Sequence, residues 1–180
     1  MRKDTKKTLR HFLLFKYLCM CFFEDIMAIE IERKFLVKNH DYRPLSEQIY
    51  IHQGYICAEK ERVVRVRIYG EKAFITIKNA SIGFSRDEFE YEIPINDAKF
   101  LLQNICLHPT IEKIRYKFPY KGFVWEIDEF RDENEGLIIA EIELESEQTY
   151  FEKPDFIAEE VTNDTRYYNA NLIKNPFKNW

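Results

Sequence analysis

What is scarce in this 180-residue chain narrows its class first. Five glycines and six prolines are too few for a collagen-like, low-complexity or linker-built protein. Four cysteines (Cys19, Cys21, Cys57 and Cys106) form no CxxC and no paired zinc spacing, and the four histidines are scattered. Thiol chemistry and structural zinc are therefore disfavoured, and free thiols point to a cytoplasmic setting. There is no basic excess. A net charge of −4 argues against a general nucleic-acid binder, which must neutralise phosphates. No apolar run reaches the roughly 20 residues of a membrane-spanning helix, so no stable membrane insertion is expected. What is abundant is hydrophobic (46%), charged (32%) and aromatic (16%) sequence, enough for one cored domain and weighted towards β structure.

Residues 1–26 differ from the rest. MRKDTKKTLRHFLLFKYLCMCFFEDI holds six basic and three acidic residues, which leaves −7 for the other 154. Lys16 interrupts its apolar stretch from Phe12 to Phe23, and no small-residue cleavage site follows, unlike a secretory signal. Met27 opens a clean strand pattern. Residues 1–26 are thus expected outside the fold, as sequence upstream of a misassigned start or as a weak peripheral membrane-surface segment. Residues 27–180 form the expected domain.

Period-two alternation predicts strands over 28–37, 49–57, 62–69, 73–79, 87–95, 110–118, 122–131 and 137–146. Turn signals separate several of them: Tyr69-Gly70-Glu71, Asn79 to Gly83, Tyr120-Lys121-Gly122 and Asp132 to Gly136. A helix is expected over 97–106 with Asn96 as its cap, another from Asp164 to Lys174, and a short helical turn between Asp41 and Gln48. Eight antiparallel strands with flanking helices make an α+β protein, closed naturally as a barrel.

The polar faces of these strands are charged, and each carries mostly one sign. Glu30, Glu32 and Lys34 share a face of the first strand. Arg65 with Arg67 and Thr76 with Lys78 follow, then Glu88 with Glu90 and Glu92. Later strands add Lys113 with Arg115, Glu126 with Asp128, and Glu141 with Glu143. One such pair means little, because composition alone yields about five acidic-x-acidic pairs. A solvated face, however, mixes signs across neighbouring strands, since like charges directly opposite are destabilising. Seven strands of grouped charge call for counter-charges: metal ions for the carboxylates and an anion for the bases. Phosphoryl transfer from a polyphosphate uses both. Lys34, Arg65, Arg67, Lys78, Lys113 and Arg115 suit phosphate oxygens, and carboxylates are hard ligands for Mg²⁺ or Mn²⁺. Substrate should then stabilise the fold.

Several motifs stand in a familiar order: EIERKFLV just after Met27, Gln53-Gly54-Tyr55, Arg65-x-Arg67, Thr76-x-Lys78, SRDEFEYEIP at 85–94, EKIRY at 112–116, AEIELES at 140–146 and EEVTNDTRYYNANL at 159–172. Over residues 27–174 the chain resembles the CYTH domain, or triphosphate tunnel metalloenzyme, family. The resemblance implies an eight-stranded antiparallel tunnel that hydrolyses or cyclises triphosphates with Mg²⁺ or Mn²⁺, and short bacterial members resemble inorganic triphosphatases. By position it implies Glu30, Glu32, Glu141 and Glu143 at the metal, with Glu88, Glu90 and Asp128 completing the acidic lining. The six bases would grip the phosphates. Lys34 and Tyr55 resemble a Lys–Tyr dyad that positions or deprotonates water, with nearby cations favouring a base role for Lys34. Glu92 and Glu126 could be lining or periphery, Arg86 could pair with a carboxylate, and Arg166 could reach the tunnel mouth or dock its helix. Outer aromatic surface could support a homodimer. Two other activities fit the scaffold, a class IV-type adenylate cyclase and a thiamine triphosphatase. A polyphosphate-binding module without turnover is the reading from another class.

Overall fold

The computed structural model describes residues 31–59, 61–79 and 88–180. Residues 1–26, Glu30, Arg86, the start of the first expected strand and most of the Asn79–Gly83 turn lie outside the described residues. Alternating sequence builds nine strands: β1 Ile31–Val37, β2 Glu47–Ala58, β3 Arg62–Tyr69, β4 Lys72–Asn79, β5 Glu88–Ile93, β6 Ile111–Tyr120, β7 Phe123–Phe130, β8 Ile138–Leu144 and β9 Ile157–Glu160. They form one antiparallel sheet in the order β5-β4-β3-β2-β6-β7-β8-β1-β9. The eight expected strands are all there, with one correction to the barrel. Four-residue β9 adds a ninth strand beside β1, and among the described residues β5 and β9 remain separate edges, so the curled sheet is not strictly closed.

The Lys121-Gly122 hairpin shows how locally this sheet is specified. Both loop residues have positive φ (46° and 87°), the hand of turn that matches the right-handed twist of paired strands.

The apolar side chains form three clusters, two on the outer, convex face and one, around Tyr55, Ile111, Phe130 and Ile139, on the inner face at one end of the sheet. Helix α1, Ile95–Asn104, buries Ala98 and Leu102, one turn apart, on Val66, Ile68 and Ala73. It starts earlier than expected because Pro94, with φ −58° and ψ 137°, sets the entry in place of an Asn96 cap. Gly54 makes that packing possible, since a Cβ there would stand 2.9 Å from Cys106 Cβ and 3.0 Å from Leu102 Cδ2. A second cluster centres on Phe35, fully buried Trp125 and Ile142, with Phe151 edge-on to Trp125 at 5.8 Å. The short turn expected between Asp41 and Gln48 is a 3₁₀ turn at Arg43–Leu45.

The single C-terminal helix expected over 164–174 is broken. Asp164 accepts a hydrogen bond from the Arg166 N–H at 3.0 Å and caps a 3₁₀ turn over Thr165–Tyr167. Tyr168 is extended (ψ 131°), and α2, Asn169–Leu172, follows. Leu172 and Ile173 pack on Tyr55, Ile111, Phe130, Leu137 and Ile139, which seats α2 against one end of the sheet. No helix among the described residues is long and apolar enough to cross a membrane.

Candidate active site

With two apolar clusters on the outer face and the third at one end of the interior, strand geometry turns the charged alternate residues inward. Eight strands then wall one chamber of about 280 Å³. Its lining is Glu32 and Lys34 (β1), Ile51 and Gln53 (β2), Arg65 and Arg67 (β3), Lys78 (β4), Glu88 and Glu90 (β5), Lys113 and Arg115 (β6), Glu126 (β7), Glu141 and Glu143 (β8), and Asn169 from α2. A second, more open chamber of about 360 Å³ adjoins it. That one adds Tyr55, Val63, Tyr168 and Ala170, and shares Glu32, Lys34, Arg65, Lys78 and Asn169. These five shared residues form the neck between the two chambers.

The strand register decides which charges meet. Lys34 stands opposite Glu141, and Glu32 opposite Glu143, across the β1–β8 pair. The Lys34 ammonium donates to Glu141 Oε1 at 2.5 Å and is also paired with Glu32, so the charges nearest to it are carboxylates rather than cations. On the far wall Thr76 Oγ1 donates to Glu90 Oε2 at 2.7 Å, and Arg65 and Arg67 approach the same carboxylate at 3.5 and 3.2 Å. The Thr76 and Arg67 bonds hold the Glu90 pKa below its ordinary value against the opposing effect of burial. Lys78 pairs with Glu88. Both Arg Nε atoms are buried with no hydrogen-bond partner among the described residues. Opposite signs meet at the β4–β5 and β6–β7 pairs and at Lys34–Glu141, whereas Glu126 faces Glu141 and Glu32 faces Glu143, so like charges stay grouped on the β7, β8 and β1 wall.

Asp128 is placed differently from the other acids. It is 0% exposed and takes two bonds from Arg115, both at 2.7 Å, besides an ion pair with Lys113, itself 2% exposed. Burial alone would raise its pKa, but Arg115 and Lys113 outweigh burial and pull it to about 2. Arg115 continues to Glu141 at 3.0 Å and to Glu126, so one guanidinium links three carboxylates.

All six expected bases line the chamber, as do Glu32, Glu88, Glu90, Glu141 and Glu143. Asp128 sits behind Lys113 and Arg115, and Glu30 lies outside the described residues. Glu126 is lining, whereas Glu92 pairs with Lys72 at an exposed site and Arg166 pairs with Asp164 and stacks on Trp180. Tyr55 and Lys34 face the same chamber, but the Tyr55 hydroxyl accepts from Gln53 Nε2 at 3.3 Å. Burial raises the Tyr55 pKa, so its phenol stays protonated. Gln53 and Asn169 are lining residues that charge patterning misses. Gln53 shares the inward face of β2 with Ile51 and Tyr55, a signal present in the sequence, while Asn169 faces inward only because the chain breaks at Tyr168.

The donor set suits a hard divalent cation. Glu32, Glu141 and Glu143 stand on adjacent strands, and Glu32 is 41% exposed at the neck. Among the described residues no three acidic, His or Cys side chains converge on one point, and Lys34 bridges Glu32 and Glu141. A closed cage is not required, because Mg²⁺ characteristically binds one or two carboxylates plus phosphate oxygens and keeps several waters.

Residues 28–175 match the family model of the CYTH domain. An inorganic triphosphatase from Acetivibrio thermocellus is 52% identical over 154 residues, covering 86% of this chain and 99% of that protein. An inorganic triphosphatase from Nitrosomonas europaea is 34% identical over 148 residues, covering 79% and 95%. The crystal structure of the inorganic triphosphatase NE1496 superposes with a TM-score of 0.64 at 30% identity, covering 80% of this chain and 93% of that one.

Proposed function

The chain belongs to the CYTH domain family, and from that premise we propose that it is a metal-dependent inorganic triphosphatase working inside the charged chamber. The observation that carries this reading is the wall itself: six bases and six carboxylates from eight strands, with Ile51 the one apolar member. A tripolyphosphate, with about four or five negative charges near neutral pH, meets matching guanidinium forks and ammonium groups there.

Each residue follows from its contacts. Arg65 and Arg67, with unpartnered Nε donors, and Lys78 grip the phosphate chain on one wall. Lys113 and Arg115, anchored by Asp128, present fixed positive charge on the other. Glu88 and Glu90 orient the cations facing them. Glu32, Glu141 and Glu143, with Glu30 two residues before Glu32, would hold Mg²⁺ or Mn²⁺, which neutralises charge on the phosphate oxygens. Lys34 and the protonated Tyr55 phenol flank the side from which water reaches the terminal phosphorus. Asp128 acts behind the wall as a positioning residue.

Product analysis tests the reading. From tripolyphosphate the full chain should release orthophosphate and pyrophosphate in equal amounts. Lys78→Ala should abolish most of that turnover while leaving the melting temperature near wild type, because its Glu88 pair is partly solvated. Cyclic AMP formation from ATP without tripolyphosphate cleavage would instead make the chain a cyclase.

A further inference from the structure

At the neck between the two chambers two buried polar atoms lack a partner among the described residues, the Arg65 Nε donor and one acceptor. Asn169 lines both chambers, and its Oδ1 is buried with no hydrogen-bond partner among the described residues. A buried acceptor left unpaired destabilises the fold, so its retention calls for a partner. The donors around the neck, Lys34, Arg65, Lys78 and the protonated Tyr55 phenol, make no hydrogen bond to that oxygen, and Lys34 and Lys78 are committed to Glu32, Glu141 and Glu88.

The position of Asn169 is built rather than incidental. The extended Tyr168 turns α2 so that its first residue points into the neck. Tyr168 is tied by its hydroxyl to the Thr162 carbonyl at 3.1 Å, and Thr162 Oγ1 accepts from the Lys34 N–H at 3.0 Å. Asn169 and Lys34 are therefore held as one unit.

We infer that the Asn169 carboxamide oxygen accepts a hydrogen bond from the attacking water and aims it at the terminal phosphorus. The inference rests on the triphosphatase reading and deepens it. Water approaching from the open chamber passes the neck, where Lys34, Arg65 and Lys78 offer only donors and Glu32 is taken up by Lys34, which leaves the Asn169 oxygen to receive its hydrogen. The water oxygen bonds to the terminal phosphorus as the bond to the bridging oxygen breaks. Of its two protons, one stays on the orthophosphate and the other ends on the pyrophosphate. A carboxamide takes up no proton and needs to take none, since a loose phosphoryl-transfer transition state asks for positioning above all.

The test separates kcat from KM in the full chain with tripolyphosphate. Asn169→Ala should lower kcat by about 10- to 100-fold with KM within threefold of wild type. Asn169→Asp keeps an acceptor but adds negative charge, so it should hold kcat within about tenfold of wild type and raise KM. A raised KM at unchanged kcat in Asn169→Ala, or rates equal to wild type, overturns the inference while the triphosphatase reading stands. If Asn169→Ala does not fold, Asn169→Asp decides alone: kcat lost at unchanged KM contradicts the role. Absence of tripolyphosphate cleavage by the wild-type chain overturns both.

Discussion

Asp128 illustrates what a single residue in this sheet can and cannot disclose beforehand. Its i, i+2 spacing with Glu126 puts it on the inward face, and there it resembles the other acids. Only burial separates them: Glu126 lines the chamber, while Asp128 is enclosed between Lys113 and Arg115. Removing one partner of a buried ion network leaves uncompensated charge, so Asp128→Asn should cost about 3–5 kcal/mol at neutral pH. Urea denaturation measures this, and a loss below about 1 kcal/mol would contradict the anchoring role. The pH dependence has a defined sign. Folding depresses the Asp128 pKa from 3.8 to about 2, so its contribution is complete above about pH 4 and is lost as the pH falls towards 2. The variant should lack that component of acid destabilisation. The proposed metal role of Glu32 predicts that Glu32→Gln raises the Mg²⁺ or Mn²⁺ concentration needed for half-maximal phosphate release. An unchanged titration would remove Glu32 from the metal's ligands.

At the scale of elements, the sequence states strands more clearly than it states their interruptions. Alternation over Val63–Tyr69 or Ile111–Phe118 reports burial on one face directly, and β3 and β6 stand where that pattern places them. β9 has only Ile157-Ala158-Glu159-Glu160, too short for a period, and forms because β1 offers an open edge. The C-terminal segment has helix-like spacing but breaks at Tyr168, where packing of Leu172 and Ile173 on the sheet outweighs helical continuity. Gly54 belongs to this scale as well. Its neighbours Gln53 and Tyr55 look inward, while its own missing side chain admits the end of α1 and Cys106 on the outer face. Gly54→Ala should destabilise the protein by about 1–3 kcal/mol through forced displacement of that packing. Thermal melting measures it, and a melting temperature equal to wild type would mean that α1 seats elsewhere.

For the whole molecule, the arrangement inverts the usual soluble sheet, with two apolar clusters outside, a third packed with the C-terminal segment at one end of the interior, and charge along the rest of the inner face. The grouping of charge by strand was readable in the sequence, because each inward face is written in consecutive i, i+2 positions. Which charges face each other was not, because it depends on which strands pair and in what register: Lys78 meets Glu88, but Glu126 meets Glu141 and Glu32 meets Glu143. A polyanion that neutralises the six bases binds the folded state alone, so tripolyphosphate at 100 times its Kd should add about 2.7 kcal/mol of stability. No shift in melting temperature at saturating tripolyphosphate would contradict that coupling.

The central claim is that this wall cleaves a free triphosphate with the help of a divalent cation. The most direct measurement is phosphate release by the full chain from tripolyphosphate, ATP and thiamine triphosphate, each with Mg²⁺, with Mn²⁺ and with a chelator. Rapid release from tripolyphosphate that the chelator abolishes, with weak release from the other two, is the predicted result. Release from none of the three, or an undiminished rate in the chelator, would contradict it.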